Sequence, residues 1–580
     1  MVENGLVFGV VAIVTIVVAG AFSKKLGVAA PLILIVVGFG YSYIPGAPTE
    51  VPHQIVLLGL LPPILYAAAI NVPVVDLRRN FSTISALSVG LVLITTFGTG
   101  FVLFAIFPDL TLAGGIALGA VISPTDAVAA TALGKKLGLP PRLVTILEGE
   151  SLVNDATALV LLRSAVLAIS GAVTFWGVIG DFAFAVSVAI LIGFVVGYVT
   201  VWVRSKLFDP VLDTAISLAV PFIAFIPAET LGASGVLAVV AAGLYSGHNS
   251  AKKFSAQARI SERLNWRTAQ FVLENGVFLL MGVELSAIIA DVVAQDLSVG
   301  KAVRYGLLMV VSVVVIRYLF IAPLLIVLRR RVEQAVRRQS RLRVMLDRLR
   351  GRENEGPHIT RRQQRAERLF QRRQTDIRQL RAEGLGWRGG LVLGWSGMRG
   401  VVTLAAAQSL PEDIPYRSQL VLIAFTVAVV TLLVQGSTLP WIIKLSGIRG
   451  TDRVADRREL AELLDEMGAA GIAALENPSF SLPDGQEVDD AVIERVRHDT
   501  LLGAESAWER ARFGSGDAGL AKSPHQQYRT LRHEVLQAER AALLEARSSG
   551  SYPSRILARA QAMLDREETR LEQIDNPSGG

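Results

Sequence analysis

The sequence contains no cysteine. That excludes a disulfide framework, thiolate metal sites and cysteine nucleophiles, and it leaves the compartment open. Histidine is scarce too. The six residues (His53, His248, His358, His498, His525, His533) lack the short spacing of a zinc ligand set. Charge is the third shortage. Only 18% of the 580 residues are Asp, Glu, Lys or Arg, against about 25% in soluble domains. What fills the chain instead is apolar: 52% hydrophobic residues and a mean hydropathy of +0.47. Disorder is excluded for most of it, since disordered segments need low hydrophobicity.

The net charge of +7, taken alone, suggests a nucleic-acid partner. Its distribution argues against one. Residues 329–388 hold 19 arginines, no lysine and 7 acids, whereas residues 451–580 hold 16 basic and 24 acidic residues. The excess is a basic loop partly offset by an acidic tail. The remainder of the chain reads as apolar runs at 5–22, 26–44, 54–70, 81–107, 111–133, 142–170, 175–203, 211–227, 231–247, 266–290, 301–328, 387–409 and 417–446. These have the length that crosses about 30 Å of hydrocarbon. The expected fold is an all-α polytopic membrane protein of about 13 transmembrane helices with a cytoplasmic helical tail. Its parts are spans 1–11 in 1–328, an Arg-rich cytoplasmic loop at 329–386, spans 12–13 in 387–450 and a regulatory or oligomerisation tail at 451–580. The weakest division separates 211–227 from 231–247, with only Ala228, Glu229 and Thr230 between them.

Orientation follows from the positive-inside rule. Placing the Arg-rich loop in the cytoplasm puts 14 further basic residues on inner loops, Arg142 and Arg204 among them. Only Lys301, Arg304 and Arg417 fall on outer ones. The N-terminus is then outside and the C-terminus cytoplasmic, in a plasma-membrane protein. No basic region precedes the first run, so it reads as a retained helix and not a cleaved signal. The Arg-rich loop suits either a solvated helical hairpin, broken at Gly351 to Pro357, or contact with anionic lipid headgroups. In the tail, helical patterns cover Arg453–Leu475, Ala491–Arg512, His525–Arg547 and Ser554–Gln573, with a Pro/Gly/Asp break at 477–485.

A charge at mid-bilayer costs about 2.5–3.5 kcal/mol on insertion scales, so intramembrane charges are functional candidates. Those here are Asp126, Glu148, Glu150, Asp155, Arg163, Glu274, Glu284, Arg317 and Arg399. In the fifth run Pro124 stands mid-span between Ser123 and Thr125-Asp126. A plain kink needs only the proline. A proline with hydroxyls and a carboxylate reads as a broken helix, whose freed carbonyls and half-helix ends line ion sites in transporters. In the sixth run Ser151 and Asp155 are i, i+4 and share a face, while Glu150 and Asn154 share the adjoining one. The first face offers hard oxygen ligands for an alkali cation; the second offers an acid able to meet an arginine. Arg317 has apolar sequence on both sides and needs a buried acid partner. Arg399 sits among Gly394, Gly397 and Gly400, which interrupt the twelfth run. The two interrupted spans are seven apart and so run in opposite directions, as in an inverted repeat. Gly-rich packing is the structural alternative for that segment. Arg163 is near a span end and reads as snorkelling to the interface; Glu274 and Glu284 read as facing a cavity or lying near an end.

At these residues the chain resembles the sodium/proton antiporters of the monovalent cation:proton antiporter superfamily, in the NhaP-like and Na+/H+ exchanger branch. Ser123-Pro124-Thr125-Asp126, Glu148 to Asp155, Arg317 and Gly397 to Ala405 carry the likeness, which covers roughly 1–450. It implies a homodimer and a core of two crossed, broken helices. It also implies a Na+ site at Asp155 with Asp126, Ser151 and the Thr125 backbone, with Asn154 at the position that accompanies electroneutral exchange. Glu150 and Arg317 match a stabilising ion pair. Several relatives carry an acid after Pro62 and Pro63, where Ala67, Ala68 and Ala69 stand here, so that helix is expected to lack a cation contact.

The expected activity is exchange of Na+ for H+, without enzymatic chemistry or cofactor, and a role in pH homeostasis. Desolvation disfavours the charged form of a carboxylate, so a proton and a cation compete for Asp155. One titrating aspartate beside Asn154 gives electroneutral 1:1 exchange. Potassium or lithium in place of sodium, a membrane sensor or receptor, and an ion channel are the alternatives.

Overall fold

The computed structural model describes residues 2–26, 30–44, 54–169, 175–207, 209–350, 385–448, 453–475, 490–497 and 524–548, with single residues at 508, 560, 563, 564, 566 and 567. Their regular structure is all helix, with no strand among them. The chain divides into two compact units, Met1–Gly450 and Thr451–Gly580.

In the first unit, helices occupy all thirteen apolar runs. They are α1 (Val2–Leu26), α2 (Ala30–Tyr41), α3 (Ile55–Asn71), α4 (Val74–Ile106), α5 (Leu112–Ile122) with α6 (Val128–Leu137), α7 (Pro141–Ile169), α8 (Phe175–Arg204), α9 (Pro210–Thr230), α10 (Gly235–Lys253), α11 (Ala256–Ala294), α12 (Val299–Arg350), α13 (Trp387–Trp395) with α14 (Val401–Gln408), and α15 (Arg417–Ser446). Among the described residues, seven of these helices are long and apolar enough by themselves to cross a bilayer, and four shorter apolar helices accompany them. Helices are the only open-ended elements that satisfy their own backbone in lipid. Their outer faces are apolar accordingly: α8 exposes Ile190, Leu191, Phe194, Val195 and Tyr198.

The division between the eighth and ninth runs lies slightly later than their residues suggest. The turn is Leu231–Ser234, after Thr230 and not at 228–230. Gly232 takes the left-handed conformation (φ +75), and Ser234 Oγ caps α10 by accepting from the Leu237 amide. The span at 301–328 belongs to a single 52-residue helix that continues to Arg350. The rest of the Arg-rich loop, 351–384, lies outside the described residues, as do the 477–485 break and most of the second and fourth tail patterns. The second unit contains α16 (Arg453–Leu475) and α17 (Pro524–Ser548).

Small residues let the helices approach closely. A methyl group on Gly243 of α10 would come within 2.7 Å of Ala69 Cβ on α3. The alanines that replace the acid on α3 are thus a packing surface: Ala67 and Ala69 are fully buried. Two of the charges assigned to inner loops are also interior. Arg142 is 8% exposed and donates to Asn80 Oδ1 at 2.9 Å. Arg204 is 1% exposed, because its guanidinium is claimed by carboxylates on two neighbouring helices.

Candidate functional site

The α5 helix ends where Pro124 cannot continue it, and five residues, Ser123–Ala127, run without helical structure before α6 begins. The corresponding gap between α13 and α14 is Ser396–Gly400. The two gaps meet. The Asp126 amide donates to the Met398 carbonyl at 2.7 Å, and Arg399 Nε donates to the Ile122 carbonyl at 3.0 Å. Gly400 permits this approach, since a Cβ there would lie 2.6 Å from Asp126 Cβ. Arg399 also donates to the Gly397 carbonyl, and its own amide is held by Thr431 Oγ1 of α15 at 3.1 Å. Its charge thus faces carbonyls at a helix C-terminus, where the macrodipole is negative.

Arg317 does the equivalent at the other interruption. Its Nε and Nη2 donate to the Leu393 carbonyl in the last turn of α13, at 3.1 and 3.0 Å. Its two Nη atoms grip Glu150 at 2.6 and 3.0 Å. Both side chains are 2% exposed, so the pair is bidentate and dry, the arrangement that suits guanidinium and carboxylate. Glu150 Oε1 also accepts from Thr125 Oγ1 at 2.9 Å. Asn154 Nδ2 donates to both the carbonyl and the hydroxyl of Thr125 at 2.9 Å. One face of α7 therefore clamps the first interruption.

The other face of α7 carries Ser151 and Asp155. Ser151 Oγ accepts from the Ala127 amide at 3.4 Å. Asp126 Oδ1 accepts from the Val128 amide at 2.8 Å, at the start of α6. Asp155 is 8% exposed; among the described residues its carboxylate accepts no hydrogen bond, and it lies near enough to Asp126 for the two charges to repel. Asp126 and Ser151 are half-buried, while Ser123, Thr125 and Pro124 are buried. Two carboxylates, a hydroxyl and backbone carbonyls form an oxygen set suited to a hard cation. Among the described residues no group of three or more His, Asp or Glu gathers as a multivalent-metal centre would.

The remaining charges are placed as follows. Glu284 is buried and accepts from Gln408 Nε2 at 2.6 Å; Glu274 accepts from Gln270 at 2.7 Å. Glu148 pairs with Lys135 at 2.8 Å. Arg163 does not simply reach for an interface: it pairs with Glu229 at 2.9 Å.

Two contributors carry no expectation from the sequence. Thr96 of α4 donates to Ser123 Oγ at 3.2 Å, and the Thr95, Thr96, Thr99 run inside an apolar span was a signal for it. Thr431 carries no such signal. Away from this site, Arg204, expected on an inner loop, binds Asp213 at 2.8 Å and Glu262 at 2.6 Å and lies 4.1 Å above the Phe254 ring.

Residues 12–445 match the family model described as sodium/hydrogen exchanger, transmembrane. An uncharacterised Na+/H+ exchanger of Mycobacterium bovis is 28% identical over 98% of this chain and 97% of its own length. The low-affinity Na+/H+ antiporter NhaS1 of Synechocystis is 26% identical, over 80% of this chain and 77% of the relative. A sodium, potassium, lithium and rubidium/H+ antiporter of Bacillus subtilis is 28% identical over 50% of this chain and 45% of its own. The solved structure of the sodium proton antiporter MjNhaP1 from Methanocaldococcus jannaschii superposes with a TM-score of 0.55 at 15% identity, covering 77% of this chain and 98% of that one. That likeness establishes the fold.

Proposed function

This chain belongs to the sodium/hydrogen exchanger family, and from that premise we propose that it exchanges Na+ for H+ one for one, with the two ions competing for Asp155. Cation/proton antiport across a membrane is the coarser statement, and the family match and antiporter relatives carry it. The finer one rests on one observation: Asp155 is buried beside Asp126 and, among the described residues, has no hydrogen bond to hold its charge. Water is withdrawn from a carboxylate in such a place, so its charge calls for a proton or a cation. A bound cation displaces the proton. Either loaded form is neutral at Asp155 and crosses an apolar barrier far more cheaply than the bare carboxylate, which couples the two fluxes by alternating access.

The Na+ ligands in this reading are Asp155, Asp126 and Ser151, with the Thr125 carbonyl as a fourth oxygen. Asn154 serves by holding Thr125, and Glu150 with Arg317 fixes the wall behind it. Antiport measured in inverted vesicles tests the proposal. Asp155→Asn abolishes Na+-driven proton movement; undiminished exchange in that variant sinks the mechanism. A one-for-one exchange is also insensitive to an imposed membrane potential, whereas a channel is not, and a sensor or receptor moves no ions.

Potassium is the second reading at the same site. The printed name of the Bacillus subtilis relative includes potassium and lithium, and an oxygen set does not by its chemistry choose among alkali cations. Titrating the antiport signal with each cation decides between them. We further propose a homodimer in the plasma membrane with the N-terminus outside and the C-terminus in the cytoplasm. The Arg-rich loop then lies against anionic lipid, and the exchanger serves pH homeostasis.

A further inference from the structure

On the face of α7 that carries Asp155, the next residues toward the C-terminal end are Leu159, Leu162 and Val166. They line a cavity of about 260 Å³ together with Leu57 and Leu61 of α3, Phe225 of α9 and neighbouring residues. On α7 the cavity begins one helical turn beyond Asp155. Below it the packing is tight: Ala156 and Leu152 of α7 are buried against Leu61, Leu65 and Tyr66 of α3. Leu61 also lines the cavity, so the cavity ends on packed side chains at the level of Asp155. On the opposite side of Asp155, Asp126 and Ser151 keep partial exposure. The site is open toward α6 and shut toward the C-terminal end of α7.

At the cavity's far end Arg163 and Glu229 meet at 2.9 Å. Arg163 stands two turns, about 12 Å, beyond Asp155 along the helix. Glu229 is fixed from behind, because its second oxygen accepts from the Gly235 amide at 2.9 Å, at the start of α10. Arg163 also reaches the Gly232 carbonyl at 3.5 Å in the same turn. The pair thus ties the helix that bears the ion site to the α9–α10 turn, across the cavity. The cavity is also lined by Ser409, just after the second half of the other interrupted helix. Both halves of the ion-binding machinery must move against α3, α9 and α10 if this side is to open.

We infer that the Arg163–Glu229 pair is the latch of the closed half-channel, and that the cavity is the vestibule through which ions reach Asp155 once it opens. The inference rests on the alternating-access reading above, and it assigns the pair to gating and not to ion binding. Its strength suits a latch. Both side chains are part-exposed, 53% and 32%, and exposed pairs are weak enough to break in each cycle.

The absence of native cysteine makes the test clean. A single Leu162→Cys reporter in the vestibule is treated with a membrane-impermeant thiol reagent, in whole cells and in inverted vesicles. From the face at the C-terminal end of α7, Arg163→Ala and Glu229→Gln each raise the modification rate about two- to fivefold, the shift that an exposed ion pair gives a two-state balance. The charge swap Arg163→Glu with Glu229→Arg returns it toward the parent rate. An Ala117→Cys reporter in the packed interior stays unmodified in all of these. Unchanged rates in both neutralised variants overturn the latch. So does a rise at both reporters, which means that the pair holds the fold and not a gate. Labelling needs no transport. A chain that exchanges ions with unchanged labelling therefore removes the latch alone, and one that gates but does not exchange removes the proposed function alone.

Discussion

Arg399 donates a hydrogen bond to the carbonyl of Ile122, 277 residues away in the chain, at 3.0 Å. The cation in one interruption thereby caps the helix half that ends at the other. Arg317 treats Leu393 likewise, so each broken helix is finished by an arginine from elsewhere. The two interruptions are therefore one site, and a substitution in either is expected to disturb both.

Gly400→Ala tests that contact directly. The added methyl lands 2.6 Å from Asp126 Cβ, and neither backbone can yield without breaking the Asp126–Met398 bond. Exchange in vesicles is expected to fall at least about tenfold, the loss that roughly 1 Å of misplacement at a reacting centre readily produces. Gly180→Ala on the exposed face of α8, where nothing lies within 4 Å, leaves exchange unchanged.

Breaking the Glu150–Arg317 pair leaves a charge buried without its partner. That costs about 3–5 kcal/mol. Arg317→Met and Glu150→Gln are each expected to lower the melting temperature of the detergent-purified protein. The double variant, with neither charge, recovers part of the loss. A double variant as unstable as the worse single one rules out the pairing as the cause.

The proposed competition at Asp155 has a quantitative signature. Where the proton occupies the site, each unit of acidification raises the apparent KM for Na+ about tenfold, by mass action between two ligands for one site. The maximal rate at saturating Na+ changes far less. Two protons per site would steepen the dependence to about a hundredfold, and independent sites would abolish it. Measuring KM in vesicles at several pH values distinguishes the three.

A second buried cluster makes a different prediction. Arg204 joins Asp213, Glu262 and Ser246, and Ser217 links Glu262 to the Trp266 indole, which donates to Ser217 Oγ at 2.7 Å. The cluster ties α8, α9, α10 and α11 at one end of the bundle. Arg204→Ala leaves two buried acids unneutralised and is expected to cost about 3–5 kcal/mol, read as a fall in melting temperature. Because, among the described residues, the hydrogen bonds of this cluster reach neither Asp155, Asp126, Ser151 nor Thr125, the KM for Na+ of the protein that still folds is expected to stay at the parent value.

Much of this arrangement was legible in the sequence because lipid makes charge conspicuous. An acid or arginine in an apolar run stands out, and Asp126, Glu150, Asp155, Arg317 and Arg399 did. Pro124 and the glycines around Arg399 marked the interruptions for the same reason: few residues break a helix where the backbone has no water to turn to. Partners were harder to read. Which carbonyl Arg399 caps depends on a crossing that no local pattern encodes. Thr431 looks like any hydroxyl that bonds within its own helix, and it does so with Ala428 as well. Arg204 misled because a basic residue at a span end usually sits in water. Only the fold brings Asp213 and Glu262 to it.

The helix that carries Arg317 is 52 residues long, about 78 Å from end to end. Some 50 Å of that rod separates Arg317 from Arg350. Since Arg317 is bolted to α7 through Glu150, a tilt of that pair of helices by ten degrees would sweep Arg350 through roughly 9 Å at that lever length. The exchanger thus carries its own pointer, which would convert a small movement beside a buried aspartate into one that a fluorophore pair at the far end of the rod can follow in real time.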